Sequence, residues 1–332
     1  MPWLKIIPPL LWLAALLLLA GILSQLPLAS IIDNFGQLNV LQWLGWLGLN
    51  LGIILIAGWR WQLICKLLNA PVSLLKLLLI RQAGQAISFI TPGPQFGGEP
   101  LQVYWLYQRC QLAIHSALLA LGLDRLFELV VNFSVLIIAV LLLMLSPSAE
   151  ANNWQNILLV LSLLLSALAA IVWLLIKQPH RLLGWLKPLT SRWQQHPKLQ
   201  HLDSHWQSLS RDLSTAVNQQ KPALLQALLL SLLGWTGLLA ELALLLSFFD
   251  LALDFWEFLL ILVAMRLAFL LPLPVGIGSL EAALLWAFHF LNLPNEAVLG
   301  LIALMRLRDV LVLISGLICL RLLQKPNPKP VS

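Results

Sequence analysis

From Ile157 to Ile176 the chain passes no charged residue, and comparable apolar runs recur at Pro8–Ser24, Leu41–Ala57, about Ala113–Leu145, Ala223–Phe248 and about Ala297–Leu320. A run of about 20 apolar residues can cross the ~30 Å hydrocarbon core of a bilayer as an α-helix. Helices and closed barrels alone satisfy their own backbone polar groups there. Nothing in the composition offers these runs another fate. Of 332 residues 60% are hydrophobic and 10% charged, and the mean hydropathy is +0.88. An ordinary soluble domain carries about 25% charged residues. Soluble enzymes are therefore excluded, and the expected fold is one all-α polytopic membrane domain over residues 1–332.

The net charge of +6 is distributed by loop. Arg60, Lys66, Lys76 and Arg81 follow the second apolar run with no acid among them, and Lys177 to Lys221 holds seven basic residues against Asp203 and Asp212. Lys5, Arg321, Lys325 and Lys329 mark the two ends, while Gln25–Gln42, Pro147–Gln155 and Phe249–Glu257 contain no Lys or Arg. This is a positive-inside pattern, which places both termini in the cytoplasm of a multi-pass protein of the cell membrane. The basic loops suit anionic lipid headgroups, not nucleic acid. Cys65, Cys110 and Cys319 lie near the basic ends, where a reducing compartment argues against disulfides. His196, His201 and His205 have no acid or thiol to complete a metal site, so no metal or cofactor is expected. The N-terminal apolar run is too long for a signal peptide and no cleavage site follows it, so it reads as an uncleaved first helix.

Two further apolar regions, Leu74–Cys110 and Trp256–Leu293, are broken by Pro and Gly at Thr91–Pro100 and Pro272–Glu281. The limb Pro100–Cys110 is only about 16 Å long at 1.5 Å per residue. It cannot cross the membrane, so each region is expected to enter and leave on one side. Basic flanks place the first on the cytoplasmic side, and acidic or neutral flanks place the second outside. Pro92, Pro94 and Gly98 recur as Pro272, Pro274 and Gly278, about 180 residues on. Glu99 recurs as Glu281, and Arg125-Leu126-Phe127-Glu128 as Arg306-Leu307-Arg308-Asp309. The expected architecture is an inverted-topology repeat of about six crossings and two oppositely oriented re-entrant hairpins. Its halves are about 1–146 and 156–323, joined by an amphipathic cytoplasmic connector over 177–221. Repeats of this kind with discontinuous helices meeting near the midplane are characteristic of transporters.

Arg125 and Arg306 fall deep within their apolar runs. A charge there costs at least about 2.5 kcal/mol unless it is paired or faces a watery cavity. Glu99, Asp124, Glu128, Glu281 and Asp309 are the candidate partners, and a purely structural set of ion pairs is the alternative reading of the same residues. Gly98 and Ser279 sit where a helix restarts, with Glu99 and Glu281 in the first turn. Helix N-termini present unpaired amides and about half a positive charge, which favours anions. Gly97, Gly98, Gly276 and Gly278 let backbone approach a ligand. The candidate substrate-binding set is Pro92, Gly93, Gly97, Gly98, Glu99, Arg125, Glu128, Pro274, Gly276, Gly278, Glu281, Arg306 and Asp309. Glu241, isolated in its apolar run, is either a packing residue or part of the path. Trp43, Trp46, Trp59, Trp61 and Trp105 read as interfacial anchors.

Arg60-Trp61, Thr91-Pro92-Gly93, Gly97-Gly98-Glu99, Asp124-Arg125, the run Pro272 to Glu281, and Arg306 together resemble the flippase-like membrane domain of lysylphosphatidylglycerol synthases. The likeness spans nearly the whole chain. It implies translocation of a polar, anionic or amino-modified lipid between leaflets, with the broken helices lining its path. The form expected is the stand-alone one, without the aminoacyl-transfer domain, so no enzymatic step is carried over. A membrane-embedded transferase acting on a lipid-linked substrate and an accessory subunit of a lipid-modifying complex are the rival readings. The expected partners are membrane lipids, with a second copy of the chain or a separate lipid-modifying enzyme as further candidates.

Overall fold

The computed structural model describes residues 38–91, 97–145, 151–177, 221–271, 273 and 276–324. Their helices are α1 Val40–Leu67, α2 Leu74–Ile90, α3 Glu99–Cys110, α4 Ile114–Met144, α5 Ala151–Lys177, α6 Lys221–Ser247, α7 Phe255–Ala268, α8 Ser279–Phe290 and α9 Asn295–Gln324. No strand occurs among the described residues. The first expected crossing, Pro8–Ser24, and most of the 177–221 connector lie outside them, as do His196, His201 and His205.

Among the described residues three helices are long and apolar enough to cross a membrane: α1, Ser116–Met144 of α4, and α6. A shorter apolar stretch, Gln155–Ala170, lies within α5. The 30 residues of α9 have the length, but Arg306, Arg308 and Asp309 interrupt its apolar run. Both broken regions are pairs of shorter helices, α2 with α3 and α7 with α8, whose limbs follow the sequence expectation to within a few residues.

Helix starts among the described residues recur at a common interval. Val40, Leu74, Glu99 and Ile114 open α1 to α4, and Lys221, Phe255, Ser279 and Asn295 open α6 to α9. Each start in the second set falls about 180 residues after its counterpart. The chain also forms two compact units: Met1–Ile54, Leu78–Trp105 and Thr236–Ser332 make one, Leu55–Leu77 and Leu106–Trp235 the other.

In the first unit α7 packs on α8 and α8 on α9. α7 buries Leu259 through Met265, α8 buries Leu280, Leu284, Ala287 and Phe288, and α9 buries Val298, Leu301 and Leu304. A capping box fixes the start of α7: Glu257 N donates to Asp254 Oδ1 (2.7 Å) and Asp254 N to Glu257 Oε2 (2.9 Å). Gly316 of α9 lies against the Gln82 carbonyl and Ala86 of α2, so these helices approach backbone to backbone. In the second unit α4 packs on α5.

Helix α1 corrects two sequence readings. It runs ten residues beyond the apolar run ending at Ala57, so Arg60 lies in a helix and not in a cytoplasmic loop. Arg60 and, on α2, Arg81 are only 6% and 4% exposed. Lys66 and Lys76 are exposed, as loop-facing cations are. The helix continues because Trp61, Ile64 and Cys65 are wholly buried, and because a carboxylate on α4 neutralises Arg60. Trp46, Trp61 and Trp105 are core residues, whereas Trp59 is half exposed. Trp61 goes inside with Ile64 and Cys65 on its face of the helix, and Trp46 Nε1 donates to the buried Glu241.

Candidate functional site

Gly276 and Gly278 have φ of 63° and 86°, left-handed conformations that favour residues without a Cβ. They turn the chain from the end of α7 into the start of α8, and the Ser279 hydroxyl donates to the Ala268 carbonyl (3.0 Å), tying the two helices together. Glu281 in the first turn of α8 is fully buried. Its Oε2 accepts the Gly278 N–H (2.8 Å), and its Oε1 accepts from Arg306 Nε (2.7 Å) and Nη2 (2.6 Å). Arg306 Nη2 also reaches the Gly276 carbonyl (3.3 Å), and its Nη1 donates to Asp309 Oδ2 (2.7 Å). The Arg306 side chain is itself 20% exposed, and its charge is met by the carboxylates of Glu281 and Asp309.

The network continues through α9 into α6 and α1. Arg308 Nη2 donates to Asp309 Oδ1 (3.5 Å), and its Nη1 donates to Glu241 Oε2 (3.0 Å). The other Glu241 oxygen accepts from Trp46 Nε1 (3.3 Å) and Asn50 Nδ2 (3.1 Å). One chain of hydrogen bonds thus joins the tip of α8 to α9, α6 and α1.

The first break is built similarly. Glu99 in the first turn of α3 accepts the Gly97 N–H (2.7 Å), as Glu281 accepts that of Gly278. Gly98 N donates to Ser88 Oγ of α2 (2.9 Å). A Cβ at Gly98 would overlap the Gly84 carbonyl, and one at Gly84 would overlap the Gln102 side chain. The α2–α3 seam therefore closes only with glycine on both sides.

In the second unit Arg125 Nη1 donates to Glu128 Oε2 (2.9 Å), one turn along α4. Arg60 Nη2 reaches the same oxygen (3.4 Å), its Nε donates to Asp124 Oδ1 (2.7 Å), and its Nη1 to Ser231 Oγ of α6 (3.3 Å). Asp124 is fully buried and the Arg60 side chain nearly so, whereas Glu128 is 42% exposed.

Arg60, Gly97, Gly98, Glu99, Asp124, Arg125, Gly276, Gly278, Glu281 and Arg306 are positions that carry the family resemblance. The model of the lysylphosphatidylglycerol synthase transmembrane region matches residues 6–316. The chain belongs to this family. No curated protein and no solved structure matches it.

Within this lysylphosphatidylglycerol synthase transmembrane region, Gly276, Gly278, Glu281, Arg306 and Asp309 come together at the start of α8. Gly97, Gly98 and Glu99 come together at the start of α3, and Arg125 and Glu128 on α4. Pro92, Gly93 and Pro274 lie outside the described residues. Sequence reasoning missed Arg60, counted among loop cations, and left Glu241 and Arg308 outside the site. One signal was available: Arg60 and Glu241 are separated by the same interval as Arg125 and Arg306.

Chemically, each tip holds a carboxylate on a glycine amide, and at the α8 tip the Arg306 guanidinium stands beside it. A guanidinium presents donors in a fork that fits phosphate or carboxylate. Among the described residues no group of three or more His, Cys, Asp or Glu is placed to hold a metal.

Proposed function

We propose that this protein moves a polar lipid, anionic or amino-modified, between the leaflets of the cell membrane without covalent chemistry. In this reading six crossings and two oppositely directed re-entrant hairpins leave both termini in the cytoplasm. The tips of α3 and α8 line the path of the lipid headgroup; Arg306 is the cation at the α8 tip, and Arg125 is a cationic contact within its own unit. The observation that carries the reading is Arg306: a buried-site guanidinium shared between Glu281 at a restarted helix and Asp309 on its own helix. Two acids holding one cation give a second anion something to compete for. A headgroup that displaces Glu281 binds one state better than the other, which is what a ligand needs to shift a conformational equilibrium. Membership of a family named for a phospholipid-modifying synthase supports a lipid as the ligand.

The test is transport in liposomes reconstituted with the purified chain and fluorescent phosphatidylglycerol in both leaflets. Bleaching of the outer leaflet reads the exchange rate. Wild-type protein should accelerate exchange, and Arg125→Leu and Arg306→Leu should remove that acceleration while remaining folded and inserted. Wild-type rates from both variants would take the arginines out of the path.

A further inference from the structure

Each half of the chain joins two arginines and two carboxylates in the same order. In the first half Arg125 donates to Glu128 (2.9 Å), Arg60 to that same carboxylate (3.4 Å), and Arg60 to Asp124 (2.7 Å). In the second half Arg306 donates to Asp309 (2.7 Å), Arg308 to that same carboxylate (3.5 Å), and Arg308 to Glu241 (3.0 Å). Both read as first arginine, shared acid, second arginine, second acid. Arg125 and Arg306 are repeat equivalents, as are Glu128 and Asp309, and Arg60 and Glu241 stand at the same interval. At that last pair the signs are exchanged. Helix α1 brings a cation to the contact and α4 the acid, whereas α6 brings the acid and α9 the cation.

We infer that Arg60–Asp124 and Glu241–Arg308 are positioning contacts, one per half and opposite in sign, that set how tightly the shared acid holds the headgroup-binding arginine beside it. The inference rests on the proposed role of Arg125 and Arg306. The physical argument is competition for one carboxylate. Asp309 divides itself between Arg306 and Arg308, and Glu241 draws Arg308 away. Neutralising Glu241 lets Arg308 settle on Asp309, which loosens Arg306 and makes it available to an anion. Removing the Arg308 charge leaves Asp309 to Arg306 alone, which tightens that pair against an anion. The same logic links Asp124, Arg60, Glu128 and Arg125. Two partners of one ion pair thus act in opposite directions on ligand affinity. Loss of a merely structural contact would move both the same way.

The experiment titrates the full-length protein in detergent with short-chain phosphatidylglycerol, read by native mass spectrometry, beside thermal unfolding of each variant. Coupled sites typically shift affinity by about 5- to 150-fold. Arg308→Met should raise Kd by about tenfold and Glu241→Gln should lower it by about fivefold, both within that range. Arg308→Lys should stay near wild type. The exchanged pair Glu241→Arg with Arg308→Glu recreates the sign pattern of the first half, and should recover both affinity and thermal stability relative to Arg308→Met. Equal-direction shifts that track the loss of stability would overturn the inference. If wild-type protein binds no lipid and Arg306→Leu changes nothing, the transport reading fails instead. The contact is then judged by unfolding alone: additive effects at 241 and 308, with no recovery in the exchanged pair, would overturn it as well.

Discussion

Glu281 shows how one side chain can serve the fold and the site together. One of its oxygens satisfies the Gly278 amide that opens α8, and the other holds Arg306. Removing one partner of a buried pair typically costs about 3–5 kcal/mol because the survivor is left uncompensated. Here Arg306 keeps Asp309 and the Gly276 carbonyl, so the cost of Glu281→Gln should fall at the low end of that range. The loss is measurable as a lower unfolding temperature. If headgroup and carboxylate compete for Arg306, lipid binding by Glu281→Gln persists or tightens while leaflet exchange slows. Glu99→Gln should behave likewise at the first break. Binding and exchange that fall together, in proportion to lost fold, would remove the competition mechanism. These acids were legible in the sequence because each follows a Pro-Gly break. Arg60 was not, because assigning charges to loops fails once a distant carboxylate neutralises the cation inside a helix. The folded contact with Asp124 gives Arg60 its role, which its interval to Glu241 only hinted at.

At the scale of elements, the α2–α3 seam depends on glycine. Gly98 faces the Gly84 carbonyl too closely for a side chain, whereas Gly45, Gly48 and Gly52 on α1 face open space within 4 Å. Overpacking a tight contact costs about 1–3 kcal/mol. Glycine to alanine in an unobstructed helix gains roughly 0.5–1 kcal/mol. Gly98→Ala should therefore lower thermal stability, and Gly52→Ala should hold or raise it. Opposite results in a detergent unfolding assay would mean that the seam is looser than the geometry requires. The ends of these helices were readable because Pro, Gly and the acidic first turns mark them in the chain itself. The extension of α1 past Ala57 was not. Its last turns are held by Trp61, Ile64 and Cys65, whose burial depends on helices remote in sequence.

At the scale of the whole molecule, the recurring Pro-Gly breaks were legible in the sequence, and the described helices α1 to α4 and α6 to α9 start about 180 residues apart. Gln108 and Asn292 are both exposed, near the ends of α3 and α8. Single cysteines there, in a background lacking Cys65, Cys110 and Cys319, should react with a membrane-impermeant thiol reagent from the cytoplasmic and the outer side respectively. Reaction from one face at both positions would defeat the inverted arrangement. The exchanged signs of the two ion pairs also bear on biogenesis. A duplicated chain risks mistaken partnerships while its helices gather in the bilayer, since α1 resembles α6 and α4 resembles α9. If α1 took the place of α6 at the contact with Arg308, Arg60 would face that arginine, and if α6 took the place of α1 at the contact with Asp124, Glu241 would face that acid. Both exchanges would set like charges together, which disfavours them relative to the native pairs. A chain with Glu241→Arg and Arg308→Glu loses that discrimination. It should give a smaller monodisperse fraction per cell than wild type, even where the recovered protein is normal. Equal recovery would mean that the two halves sort themselves by some other means.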